Sequence, residues 1–286
     1  MLLSVIVVAQ PQHDRAFWQA IAKNKYAVPE HESADGLSQE LSVLLASPDP
    51  ELRDDLAYSI LARWINRGKI STPQLVVLTD EWRTNLRSGL GETNTNSVLK
   101  RSFSALCLSS MAAREAKTPF MGAERYHQLV AESIAYLQVE HDLRGYETKL
   151  HWIHSTAHTA DLLAALAGSA LVTTDEEKAM LSAIDARLTT APDVYTQGEQ
   201  DRLAAAVVTV IRRSDFQIAD FESWLNGIQA EDRDVWTATT PESLARFQNH
   251  NYMLHALTAR LSIEPDSART SEYRQKVLAT LKTRLD

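Results

Sequence analysis

The 286-residue chain holds a single cysteine, Cys107. An intrachain disulfide is therefore excluded, and no Cys-x-x-Cys or mixed Cys/His zinc spacing exists. Cys107 stands inside the apolar run Phe103–Leu108, where it reads as a small buried hydrophobe rather than a nucleophile. Glycine and proline number nine each, too few for a fold built on tight β-turns and too few for a disordered chain. Positive charge is in the minority, with 29 Lys and Arg against 37 Asp and Glu and a formal net charge of −8. Without a basic footprint for phosphates, nucleic acid is not an expected partner. No apolar run approaches the ~20 residues of a membrane-spanning helix. Glycine-rich phosphate loops, the Gly-x-Ser-x-Gly elbow and the EF-hand loop are also missing.

What the chain does have is helical periodicity. Apolar residues recur at spacings of three and four almost throughout. The pattern predicts helices near 14–24, 37–46, 51–66, 72–88, 97–115, 122–138, 149–167, 174–189, 199–213, 217–228, 241–262 and 268–284. Several starts carry caps: Asp49 before Pro50, Ser71 ahead of Pro73, Thr173 with three acids behind it, and Thr240 before Pro241. One helix pair about every 45 residues is the period of HEAT-like and armadillo-like stacks. The expected fold is therefore all-α, an α-α superhelix of antiparallel helix pairs. The segment Met1–Ala9 is apolar and changes abruptly at Gln10. Residues 1–12 are read as a signal-peptide remnant or tail, and 13–286 as one domain. That implies an exported, periplasmic protein, with a cytoplasmic one as the alternative.

The densest cluster of chemistry-bearing residues lies between Glu140 and Asp161. If residues 149–167 form one helix, His151, His154, His158 and Asp161 share a narrow stripe at 100° per residue. Trp152, Ala160 and Leu163 then fall on the opposite face. Two histidines four apart can chelate one cation, and an acid one turn on can complete the set. His154, His158 and Asp161 are thus candidate ligands of a divalent metal, or an acid/base group. The plain structural alternative is a polar helix face lining a groove. Glu140, Asp142 and Arg144 either face that stripe or pair with one another in a salt-bridged connection, with Gly145 at a tight turn. A second polar cluster, Gln248–His255, reads as helix capping and packing around Asn249, His250 and Asn251, with binding of a polar ligand as the alternative.

These blocks carry a resemblance. Glu140-x-Asp142-x-Arg144-Gly145-Tyr146 followed by Trp152-x-His154-x-x-Ala157-His158-x-Ala160-Asp161 resembles a bacterial family catalogued as domain of unknown function 2785. Weaker blocks are Asp49–Asp54 with Tyr58, Arg101–Ser104 with Leu106, and Gly198-Glu199 with Arg202-Leu203. The family's glycine before the Trp is His151 here, so His151 is the member of the stripe with least claim to a shared role. The resemblance implies an α-helical, HEAT-like fold and no particular activity, substrate or cofactor. It also implies that some members carry a signal peptide.

Two functions follow as expectations. The first is a binding or scaffold protein for a protein or small-molecule partner, with Glu140, Asp142, Arg144, Tyr146, Trp152, His154, His158 and Asp161 lining a groove. The second is a metal-dependent hydrolase using His154, His158 and Asp161. They differ in convergence. A catalytic site requires further groups from other helices, such as Glu140, Asp142 or His250, aimed at the histidines.

Overall fold

The computed structural model describes residues 12–265 and 267–284. The apolar start Met1–Ala9, expected as a signal remnant, lies outside them. Among the described residues the chain forms twelve α-helices, one π-helical segment and a single short hairpin. In chain order these are α1 (Arg15–Lys23), α2 (Ala34–Leu44), the π segment Glu51–Tyr58, α3 (Ser59–Asn66), α4 (Thr72–Asn85), α5 (Ser97–Lys117) and α6 (Gly122–Val139). Strands β1 (Tyr146–Glu147) and β2 (His151–Trp152) follow, then α7 (Ser155–Ala167), α8 (Thr174–Thr190), α9 (Glu199–Ile211), α10 (Ile218–Glu231), α11 (Pro241–Ile263) and α12 (Ala268–Lys282). The all-α expectation holds.

The capping residues read from the sequence act as caps. Ser71 accepts from Gln74 N, and Thr173 forms a capping box with Glu176. Thr240 forms one with Ser243. Asp49 Oδ1 takes the Leu52 amide at 3.1 Å ahead of the π segment.

Alternate helices pack on one another. From α5 onward, α5 touches α7, α7 touches α9 and α9 touches α11, while α6, α8, α10 and α12 make a parallel series. One buried apolar cluster runs from Trp18 to Leu281. Its indole nitrogens are mostly satisfied inside it: Trp64 donates to Tyr26 O and Trp82 to Ser42 Oγ, each at 2.8 Å. Val98, Leu99 and Ile153 make a small satellite cluster where the hairpin's exit meets α5.

One expected helix is wrong at its start. Residues 149–154 are not helical. The chain makes the antiparallel hairpin, with Tyr146 opposite Trp152, and α7 begins only at Ser155. His154 takes a left-handed backbone (φ 52°, ψ 36°) as the residue before the helix. Long-range partners override the local period here. The fully buried Arg53 donates to Leu150 O at 2.5 Å, Trp152 O at 3.1 Å and Ser47 O at 3.0 Å, and lies over the Phe103 ring. Ile153 N donates to Gly145 O and His154 N to Arg144 O. A helix over 149–154 would need those same carbonyls and amides for itself.

Candidate functional site

A cavity of about 460 Å³ opens between the π segment, α5, the start of α7 and the start of α9. His158 borders it from the first turn of α7. The Ser102 hydroxyl donates its one proton to the Ile153 carbonyl, which can only accept. Toward His158 Nδ1, 2.8 Å away, the same hydroxyl must therefore accept, so Nδ1 carries the hydrogen. Burial pushes the imidazole down to about 3, with His154 and Arg202 adding to it, so the ring is neutral. Its Nε2 then keeps an unprotonated lone pair. No described residue hydrogen-bonds to that atom.

His154 stands beside it, the two rings edge to face at 5.9 Å. Its Nε2 lies 3.1 Å from Gln197 O and 3.3 Å from Glu199 Oε1. Both are acceptors, so this nitrogen carries a hydrogen and points away from chelation. Burial pushes the Glu199 carboxyl up, but His154 and backbone amides outweigh it and hold it below the usual range. Trp152 stacks on the other face of His154 at 4.6 Å.

The opposite wall comes from the π segment. Asp54 and Tyr58 are four residues apart, close to one π turn, and both line the cavity. Burial raises the Asp54 carboxyl to about 6 despite the adjacent Arg53, whose Nε lies 2.7 Å away at an angle too poor for a hydrogen bond. Tyr58 is pushed up to about 12, first by burial and then by Cys107 and Asp161. Asp161, one turn after His158, is engaged by Arg202 Nη1 at 2.6 Å. Burial still raises its carboxyl. Phe103 and Leu106 from α5 complete the apolar side.

The expected shared helical face of His151, His154, His158 and Asp161 is therefore corrected. His154 precedes the helix, and His151 is exposed on β2, stacked on Tyr146. His154 and His158 do meet at the cavity. Asp161 is spent on Arg202, and its partners differ from theirs.

Glu140, Asp142 and Arg144 do not face the histidines. Glu140 forms a two-pronged buried pair with Arg101 at 2.6 and 3.0 Å. Asp142 takes Arg144 Nε at 2.8 Å and the Asn94 amide at 2.9 Å. Their loop borders a separate cavity of about 470 Å³. Tyr146 and Trp152 are each 42% exposed and form an aromatic rim above the histidines. Sequence reasoning from the stripe missed Asp54, Tyr58, Ser102, Phe103 and Arg202 as neighbours of the site. The signal for them was present in the weaker blocks of the resemblance.

Gly145 shows how tightly the site is built. A Cβ there would sit 1.8 Å from Gln197 Oε1 and 2.9 Å from Glu199 Oε1. Gly145→Ala should push the Gln197 side-chain end off the Tyr146 amide and shift the Glu199 carboxylate away from His154, at a cost of about 1 kcal/mol. Urea unfolding together with the His154 imidazole resonance checks this; an unmoved resonance and an unchanged midpoint contradict it.

A search of curated proteins and a search of solved structures each found no match. A protein-family model matches residues 86–259. That span contains α5 to most of α11, including His154, His158, Asp161 and Arg202, but not the π segment. Because it covers more than half of the sequence, the chain belongs to the family described as Protein of unknown function (DUF2785).

Proposed function

We propose that the protein binds a compact, polar, ring-bearing small molecule in the cavity over His158. One observation carries this reading. Asp54 and Tyr58, Phe103 and Leu106, Trp152 with both histidines, and Gly198 with Arg202 come from four separated blocks of the resemblance, and all line one cavity. Structural residues scattered by packing needs alone have no reason to converge so. The chemistry suits such a ligand: aromatic faces at Phe103 and Trp152, a neutral imidazole acceptor at His158 and a half-exposed guanidinium at Arg202. The packing of odd helices on odd and even on even supports a HEAT-like superhelix, a single unit that carries the cavity among its odd helices.

A catalytic reading is favoured by one observation. A carboxyl held near 6 and a neutral imidazole lining one cavity are the two kinds of group that acid–base hydrolysis uses, with Asp54 as the acid. The first reading is tested by a ligand-observed NMR screen of sugars and nucleosides against the wild type, His158→Gln and Arg202→Met. Hits should weaken by about tenfold or more in both variants, the magnitude of one lost ligand hydrogen bond to a charged or buried group, with helical circular dichroism unchanged. Hits that bind both variants as well as the wild type overturn it.

A further inference from the structure

A second cluster lies outside that cavity, where α8, α10 and α11 meet. Asp185 on α8, Glu231 at the end of α10 and His250 on α11 each offer one ligand atom, all within 4.8 Å of one another. His250 is fully buried. Its Nδ1 lies 2.8 Å from Asp232 Oδ2, so that nitrogen donates and the ring is oriented. Asp232 is held in turn by Arg284 at 2.7 Å and Arg246 at 3.0 Å. The other nitrogen, Nε2, points into the cluster. It has only a marginal 3.5 Å approach from Thr189 Oγ1, and Asp185 Oδ1 at 3.1 Å. That last contact lacks hydrogen-bond geometry, and Asp185 Oδ1 is a buried oxygen with no hydrogen-bond partner.

We infer that His250 Nε2, Asp185 and Glu231 form a site for one divalent cation of the manganese-to-zinc series. Five features support it. A histidine whose far nitrogen donates to a carboxylate is the arrangement that orients metal-bound imidazoles, and Asp232 supplies that carboxylate. Among the described residues no lysine or arginine pairs with Asp185 or Glu231, so only the His250 ring faces these two carboxylates, and a divalent ion would neutralise them. One nitrogen and two carboxylate oxygens suit borderline cations rather than thiophilic ones. Thr189, one turn after Asp185, donates to Glu231 Oε2 at 2.5 Å and fixes that carboxylate. Glu231 is exposed and Asp185 lines a cleft of about 290 Å³ between α8 and α10, which gives an ion a way in. Such an ion would tie three helices together, independently of the ligand cavity.

The plain alternative is a proton on Nε2 shared with Asp185, and the test separates the two. Protein purified without a histidine tag and stripped with a chelator is titrated calorimetrically with zinc or manganese chloride alone. The expected result is one ion per chain and a rise in Tm of about 5 °C or more at saturation. Glu231→Gln alters an exposed residue and should fold normally; it should weaken binding by about tenfold or more. Asp185→Asn should do the same, and His158→Gln should leave binding unchanged. The inference is overturned if the wild type shows no saturable binding by about 1 mM. It is equally overturned if Glu231→Gln binds like the wild type, or if His158→Gln is the variant that loses the ion.

Discussion

Arg101→Met is expected to cost about 3–5 kcal/mol of unfolding free energy. Arg101 is fully buried on α5, and the Glu140 side chain it pairs with is 3% exposed. The pair is two-pronged, and the guanidinium also donates to Ser88 O, Gly89 O and Ser97 Oγ. Each of its three nitrogens thereby donates at least once. A methionine fills most of the volume but strands three acceptors and leaves the Glu140 carboxylate without its cation. The loss is therefore dominated by the desolvated charge left behind, not by missing contact area. Glu140→Gln should cost less, because the amide still accepts one bond. The double variant Arg101→Met/Glu140→Gln should cost less than the sum of the singles by at least about 1 kcal/mol, since neither charge is then orphaned. Urea midpoints at constant slope measure all three. A loss under about 1 kcal/mol for Arg101→Met would sink the argument. The effect reaches the site as well: Glu140 Oε1 takes the Asp142 amide, and Asp142 O takes the Ser155 hydroxyl at the head of α7.

That chain of contacts explains how far the sequence was legible. The helices were readable because each buries an apolar stripe and several announce their starts with caps, which are local signals. The hairpin was not readable because its cause is remote. Arg53 lies about a hundred residues before the carbonyls of Leu150 and Trp152 that it captures, and nothing in the local period of 149–161 records it. The angular argument for His154 failed with that helix start, yet His154 and His158 still meet: with His154 in a left-handed turn just before α7, the two rings lie 5.9 Å apart. The roles of Glu140, Asp142 and Arg144 were open on sequence grounds and turn out to be mutual pairing. Asp54 and Arg202 could be seen only as fragments of weaker blocks, since the cavity that unites them is assembled by packing between distant helices.

The cavity's two titrating groups should leave opposite marks on stability against pH. His158 falls from 6.5 to about 3 on folding. Between those values the unfolded chain binds the extra proton, so this group's stabilisation is present above about 6.5 and is lost as pH falls toward 3. The slope is about 1.4 kcal/mol per unit, so two units below 6.5 the loss is about 3 kcal/mol. Asp54 rises from 3.8 to about 6. Here the folded chain holds the extra proton, so its stabilisation is present below about 3.8 and is lost as pH rises through 6. Its side chain is 22% exposed, which trims the full linkage to about 2 kcal/mol. From pH 4 to 6 the two slopes oppose each other and largely cancel in the wild type. Single variants uncover them. His158→Gln leaves the Asp54 slope, so stability relative to the wild type should fall as pH rises from 4 to 6. Asp54→Asn leaves the His158 slope, so relative stability should rise over the same window and exceed the wild type at pH 8. Subtracting the wild-type curve removes the remaining carboxylates and His250, which titrate in all three proteins. A carboxyl whose replacement stabilises the fold at neutral pH is one kept at a cost to stability, as functional groups are. Difference curves with the same sign, or flat ones, would show that Asp54 and His158 are not the buried, oppositely shifted pair that the cavity geometry makes them.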